Sequence, residues 1–269
     1  MCNITTMYNP FNVKNRLFTK QDIQAILSKH ECNFKVRDVN LYQTAMVHSS
    51  YVKREEYTNP AGESTQLAPL PDNCLDLFVD SYERLEHLGD SVLGASVSTY
   101  LITRYPSENE GFLTDLKKEI VCNEMLGSLS QKIGLDKFYI ISRHNEEVCF
   151  GRINPKKLGD ILEAFIGALW IDTGYNYDIV SSFIIILIEK YIDIPKILMN
   201  NRNYKEQFQK FYQAKFHHTP SYKVLVSSLN SYTVAAVNET GMHLGIGTST
   251  TKKQAEQFAA REALKNLGA

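Results

Sequence analysis

Cysteine is scarce in this chain of 269 residues. The five present, Cys2, Cys32, Cys74, Cys122 and Cys149, are odd in number and include no Cys-x-x-Cys pair. That argues against a disulfide framework and a cysteine zinc site, and predicts free thiols in a reducing compartment. Long apolar runs are missing too. The longest, Phe183 to Ile188, is far too short to span a bilayer, and Met1 to Arg16 has no apolar stretch of the kind a secretory signal needs. Neither charge sign is in excess: 29 Lys and Arg against 30 Asp and Glu leave a net charge of −1. Taken whole, that balance argues against a nucleic-acid binder, whose domains are usually basic. What is not lacking is material for a core. Hydrophobic residues at 43% and charged residues at 22% exclude whole-chain disorder and a fibrous repeat. The expectation is a soluble, intracellular, cytoplasmic protein with no membrane segment.

The charge is not evenly spread. From Asn200 to Ala269 there are nine Lys and Arg against four Glu and no Asp, a balance of +5, which leaves −6 on the first 199 residues. An acidic large part joined to a basic small part predicts two domains with two jobs, 1–199 and 200–269, divided at the polar stretch Asn200-Asn201-Arg202-Asn203. The first reads as mostly helical. Lys20 to Ser28 follows Thr19, an N-cap with Asp22 at the third helical position. Leu41 to Tyr51 reads as a second helix, and Leu77 to Tyr105 as one or two more, ending before Pro106. Between them Arg54 to Asn73 carries Pro60, Gly62, Pro69 and Pro71 and reads as a long loop. Glu110 to Ile133 is helical up to Gly134, and Pro155 to Trp170 and Tyr177 to Tyr191 follow, with Pro195 punctuating the end. The second domain changes period. A helix over Tyr204 to Lys215 is followed by strands at Ser221 to Ser227, Ser231 to Asn238 and Met242 to Thr248. A helix over Thr251 to Leu267 closes the order α-β-β-β-α.

Two constellations carry chemistry. Glu83, Glu86 and Asp90 recur at i, i+3 and i+7, which puts all three on one helix face. Asp160 and Glu163, at i and i+3, sit on a helix that is apolar almost all round and so is a buried one. A buried carboxylate is unfavourable unless it is paired or binds a cation. These acids therefore read as ligands for Mg²⁺, a hard cation that prefers oxygen. Two such ions about 3.5–4 Å apart would activate a water and stabilise the leaving oxygen of a phosphodiester. The competing explanation is neutralisation by Lys156, Lys157 or Arg84.

ERLEHLGDSVL (Glu83 to Leu93) resembles the signature of the ribonuclease III family, and GDILEAFIGALWID (Gly159 to Asp172) resembles that family's second acidic motif. TAMVHSSY (Thr44 to Tyr51) and the stretch Glu110 to Leu135 are similar to its early and middle helices, and Tyr204 to Leu267 resembles a double-stranded-RNA-binding domain. The resemblance implies an all-α endonuclease domain followed by an α-β-β-β-α RNA-binding domain (an α+β unit). It implies a homodimer that cleaves both strands of duplex RNA with Mg²⁺, or with Mn²⁺ in its place, leaving 5′-phosphates, 3′-hydroxyls and short 3′ overhangs. No nucleotide cofactor is expected. Residue by residue, it makes Glu86, Asp90, Asp160 and Glu163 the metal-binding catalytic carboxylates. Glu83 matches an acid near the dimer interface and the RNA valley, and Glu110 an accessory acid.

The chain departs from the family pattern in several places. His87 replaces an aromatic or apolar residue and reads as packing. Tyr82 replaces a common Asn, and about 54–81 is an insertion, either an RNA or dimer contact or a disordered decoration. In the RNA-binding domain, Lys252 and Lys253 at the start of the last helix match phosphate-binding lysines, helped by the helix dipole. Lys205 and Gln209 are candidate groove contacts, while His217 and His218 read as surface residues. The Gly-Pro-x-His element is missing from the short loop Ser228-Leu229-Asn230-Ser231, and Lys210 stands where an acid is common, so weaker binding by this domain alone is expected.

Overall fold

The computed structural model describes residues 7–58, 62–200, 204–228 and 231–268. Cys2, Pro60, the linker residues Asn201, Arg202 and Asn203, and the turn residues Leu229 and Asn230 lie outside the described residues. The chain divides into two units, Met1–Ile194 and Pro195–Ala269.

The first unit is helical, and its helix starts follow from the sequence. Helix α1 (Lys20–Lys29) opens on a capping box: the Thr19 side chain accepts from the Asp22 amide, and the Asp22 carboxylate accepts from that of Thr19. Helix α2 covers only Val39–Thr44. The expected continuation to Tyr51 fails because the backbone has another partner. The Ile140 amide donates to the Met46 carbonyl at 2.8 Å and the His48 amide donates to the Ile140 carbonyl at 2.9 Å. A short 3-10 turn follows at Ser49–Tyr51.

The insertion is not a disordered decoration where it is described. It carries a two-rung hairpin, β1 (Tyr57–Thr58) and β2 (Ser64–Thr65). Tyr57, Leu67, Leu75, Leu77 and Phe78 pack against Phe11, Val47, Tyr51 and Ile140. Tyr8 stacks on Tyr57 at 5.1 Å and pairs its backbone with Gln66 and Ala68. Leu77 to Tyr82 is not helical, as Phe78 bridges to Val52, so helix α3 starts at Glu83 and runs to Arg104.

Helices α4 (Glu110–Ile120) and α5 (Asn123–Ile133) follow, and Gly134, at φ 83°, ends α5 in the left-handed region. After the short α6 (Arg143–Glu147), α7 (Pro155–Asp172) forms the axis of the core, with α3 and α5 packed along it. Glycines set the closeness of the α3–α7 crossing. A Cβ on Gly89 would sit on the Glu163 carbonyl and 2.9 Å from the Gly167 nitrogen, and one on Gly167 would sit on the Leu85 carbonyl. Asp172 ends α7 as a buried clamp, accepting from the amides of Arg37 and Asp38 and from the Tyr42 hydroxyl. Helix α8 is Tyr177–Tyr191, and Pro195 lies in the first turn of a further helix, α9 (Ile194–Asn200), a position proline tolerates.

In the second unit, α10 (Tyr204–Phe216) precedes an antiparallel sheet in the order β3 (Ser221–Ser228), β4 (Ser231–Val237), β5 (His243–Ser249), and α11 (Lys252–Asn266) closes it. Its core is Phe208, Tyr212, Ala236, Leu244, Ala259, Ala260, Ala263 and Leu264. The alanine face of α11 lies close on β5, where a Cβ on Gly245 or Gly247 would meet the backbone of Ala255, Ala259 or Ala263.

Candidate active site

Helix α3 supplies Glu83, Glu86 and Asp90 from its first two turns, and α7 supplies Asp160 and Glu163. The glycine-to-backbone crossing holds these two stretches together. Oxygens of Glu86, Asp160 and Glu163 lie within 4.8 Å of one another. Asp160 is only 5% exposed. This crowding shows in the acidities. Burial, then the charges of Asp90, Glu86 and Asp160, pushes the Glu163 carboxyl up to about 8. Burial and Asp160 raise that of Glu86 as well, with Lys157 opposing. Such a group repels itself until a cation joins it, and three carboxylate oxygens at this spacing fit a hard divalent ion.

The competing explanation holds for one acid. The Lys157 ammonium is 3.6 Å from Asp160 Oδ2, and the Tyr82 hydroxyl donates to the same oxygen at 3.0 Å. Lys157 also donates to the Tyr82 oxygen at 3.3 Å. Nothing comparable reaches Glu163 among the described residues, and His48 is no cation at neutral pH. Burial, aided by Lys157, pushes its imidazole down to about 4.

Asp90 is exposed on α3 and acts on Glu163 through its charge, without joining the group of three. Glu83 is exposed at the first position of α3. Glu110 is exposed at the first position of α4, where it accepts from the Thr114 hydroxyl at 2.8 Å, beside Lys117, which donates to Ser98. His87 is exposed, contrary to the packing expectation. It follows Glu86 and lies off the face of α3 that buries Leu85, Gly89 and Val92. Tyr82 is the site neighbour that spacing arguments miss. Its signal was the departure from Asn, because Tyr cannot cap a helix and α3 indeed starts without a side-chain cap.

In the second unit, Lys252 and Lys253 are exposed in the first turn of α11, capped by Thr251. Lys205 is committed to an ion pair with Glu256 at 2.6 Å and lies over the Tyr222 ring. Gln209 is exposed on α10, as are His217 and His218 after it. Lys210 pairs with Glu206 at 2.6 Å.

Both units match known protein families. The model of the Ribonuclease III domain matches residues 83–174, and that of the Double-stranded RNA binding motif matches residues 204–267. The chain is 34% identical over 271 residues to Ribonuclease 3 of Bacillus velezensis, covering 97% of this chain and 96% of that protein. It is 35% identical over 237 residues to Ribonuclease 3 of Listeria welshimeri, covering 87% and 93%. A relative from Acanthamoeba polyphaga mimivirus, named "Probable ribonuclease 3", is 30% identical over 263 residues; the match spans 95% of this chain but 47%, about half, of that longer protein. The chain belongs to the ribonuclease III family. It is an enzyme, an endoribonuclease equipped with a domain for double-stranded RNA.

Proposed function

We propose that this enzyme hydrolyses phosphodiester bonds in double-stranded RNA with Mg²⁺, leaving 5′-phosphate and 3′-hydroxyl ends with short 3′ overhangs, and that it works as a homodimer. The observation that carries the reading is the meeting of Glu86, Asp160 and Glu163 in a chain that also bears a duplex-RNA domain. Glu86 and Glu163, with Asp160 and with Asp90 drawn in from the exposed side of α3, would hold the cation. Bound there, Mg²⁺ would make a water a better nucleophile and stabilise the leaving oxygen. The protein's own part is to keep the acids on two helices locked by the Gly89–Gly167 crossing. Glu83 and Glu110 are proposed as accessory acids, Glu83 next to Glu86 and Glu110 beside Lys117.

The test is incubation of long duplex RNA with the protein, followed by product sizing and end analysis. Stripping divalent ions with a chelator is expected to stop cleavage, and added Mg²⁺ or Mn²⁺ to restore it. Equal cleavage in chelator would refute metal dependence. Light scattering tests the dimer. A reducing compartment is proposed from the odd, scattered cysteines of the sequence; among the described residues Cys32, Cys74, Cys122 and Cys149 are free thiols. Among the described residues no helix is long and apolar enough to cross a membrane.

For the RNA-binding unit, Lys252 and Lys253 are proposed as phosphate contacts at the positive end of α11, with Lys205 and Gln209 toward the groove. Duplex RNA is read by shape through its phosphates and 2′-hydroxyls. Replacing both Lys252 and Lys253 with Ala is expected to weaken duplex binding and flatten the plot of log affinity against log salt by about 2. An unchanged slope in a filter-binding series would rule out the clamp.

A further inference from the structure

Position 82 is one of the places where this chain leaves its family's pattern, and the structure sets that residue against the site. Tyr82 is 1% exposed. Its backbone is fixed by donation to the Val47 carbonyl at 2.8 Å, and its ring closes a three-ring cluster with His48 and Tyr139, at 5.9 and 6.4 Å. The hydroxyl at the end of this fixed ring donates to Asp160 Oδ2 at 3.0 Å. Nothing else among the described residues donates a hydrogen bond to that carboxylate, and Lys157 approaches the same oxygen only at 3.6 Å.

We propose that Tyr82 is a positioning residue for Asp160. Its hydroxyl sets the plane of the carboxylate before a divalent cation arrives, and so sets the Mg²⁺ concentration at which the enzyme works. The inference rests on the reading of Asp160 as a ligand. Partners that hydrogen-bond to metal ligands orient them, and their loss typically costs 10–100-fold in metal affinity or activity. Lys157 acts in the opposite sense. It touches the same oxygen but carries the same sign of charge as the cation, so it weakens binding while Tyr82 strengthens it.

The experiment is titration of the full-length protein, without RNA, by Mn²⁺ (free-ion EPR) and by Mg²⁺ (calorimetry). Tyr82→Phe keeps the ring against His48 and Tyr139 and removes only the hydroxyl. It is expected to weaken ion binding by about 10–100-fold. The Mg²⁺ needed for half-maximal cleavage should rise by the same factor, while the rate at saturating Mg²⁺ stays within a few-fold of wild type. Lys157→Met is expected to tighten binding several-fold. A purely structural role for Tyr82 would lower the melting temperature and leave ion affinity alone, and that result overturns the proposal. So does a Lys157→Met protein that binds ions as weakly as Tyr82→Phe, because the ammonium would then be what orients Asp160. Glu163→Gln separates the two levels of inference. Lost binding there with unchanged binding in Tyr82→Phe overturns the Tyr82 assignment alone. Unchanged binding in both overturns the site reading beneath it.

Discussion

Glu163→Gln is expected to reduce cleavage by three orders of magnitude or more and, in the same protein stripped of metal, to raise the melting temperature. The first effect follows from the Proposed function: removing a ligand forfeits several kcal/mol of charge stabilisation, at 1.36 kcal/mol per tenfold in rate. The second follows from the acidity. The carboxyl sits at about 8 in the fold against an ordinary value of about 4.5. Its folded value is raised, so the unfolded chain ionises more readily. The group therefore opposes folding as pH rises above about 4.5, and fully so above about 8. The neutral amide removes this opposition. Because the site is partly open to water, the gain is on the order of 1–2 kcal/mol, a few degrees of melting temperature. The gain should be present at pH 8.5 and vanish near pH 4, where the acid is protonated in both states. Mg²⁺ should reverse the ranking, since an ion that binds only the folded wild type stabilises it by mass action. Calorimetric scans at two pH values, with and without Mg²⁺, check this; a variant less stable than wild type in metal-free solution at pH 8.5 would contradict the account. Duplex RNA should still bind the inactive protein.

Much of this site was legible because helical period is regular. Glu83, Glu86 and Asp90 at i, i+3 and i+7, and Asp160 and Glu163 at i and i+3, fix which acids share a face. The capping box at Thr19 and the Gly134 stop were legible for the same local reason. What spacing does not give is depth. Asp160 is buried while Asp90, on the same face as Glu86, is exposed, and only the packing of α3 on α7 separates them. Non-local pairing was equally hidden. The helix expected to reach Tyr51 ends at Thr44 because the 140 region takes its backbone. The insertion, with its prolines, resembles a free loop until Tyr8 and Phe11 are seen to pack on it. His87 was read from its family position as packing, yet one step of 100° turns it out to solvent. Even the near-zero net charge misled when taken whole, since the −6 of the first 199 residues cancels the +5 of the basic C-terminal part.

The second large effect is expected where no acid stands. Gly89→Ala adds one carbon at the α3–α7 crossing, where it would sit on the Glu163 carbonyl and 2.9 Å from the Gly167 nitrogen. Both obstacles are backbone, and no rotamer change relieves a backbone clash, so the helices must part. Overpacking of this kind costs about 1–3 kcal/mol, occasionally more, or roughly 2–12 °C in a unit of this size. The parting also moves Glu86 relative to Asp160 and Glu163, which now lie within 4.8 Å of one another. A misplacement of about 1 Å can cost 10²-fold in rate. Gly94 is the internal control on the same helix. A Cβ there meets only the Lys117 ammonium, at 3.5 Å, the far end of a flexible side chain. Gly94→Ala should therefore gain about 0.5–1 kcal/mol from the better helix former and leave cleavage near wild type. If the two alanine variants melt together and cleave alike, the close crossing is not what holds the acids in place. If Gly89→Ala alone melts early and loses both ion binding and cleavage, the catalytic geometry depends on two residues that have no side chain at all.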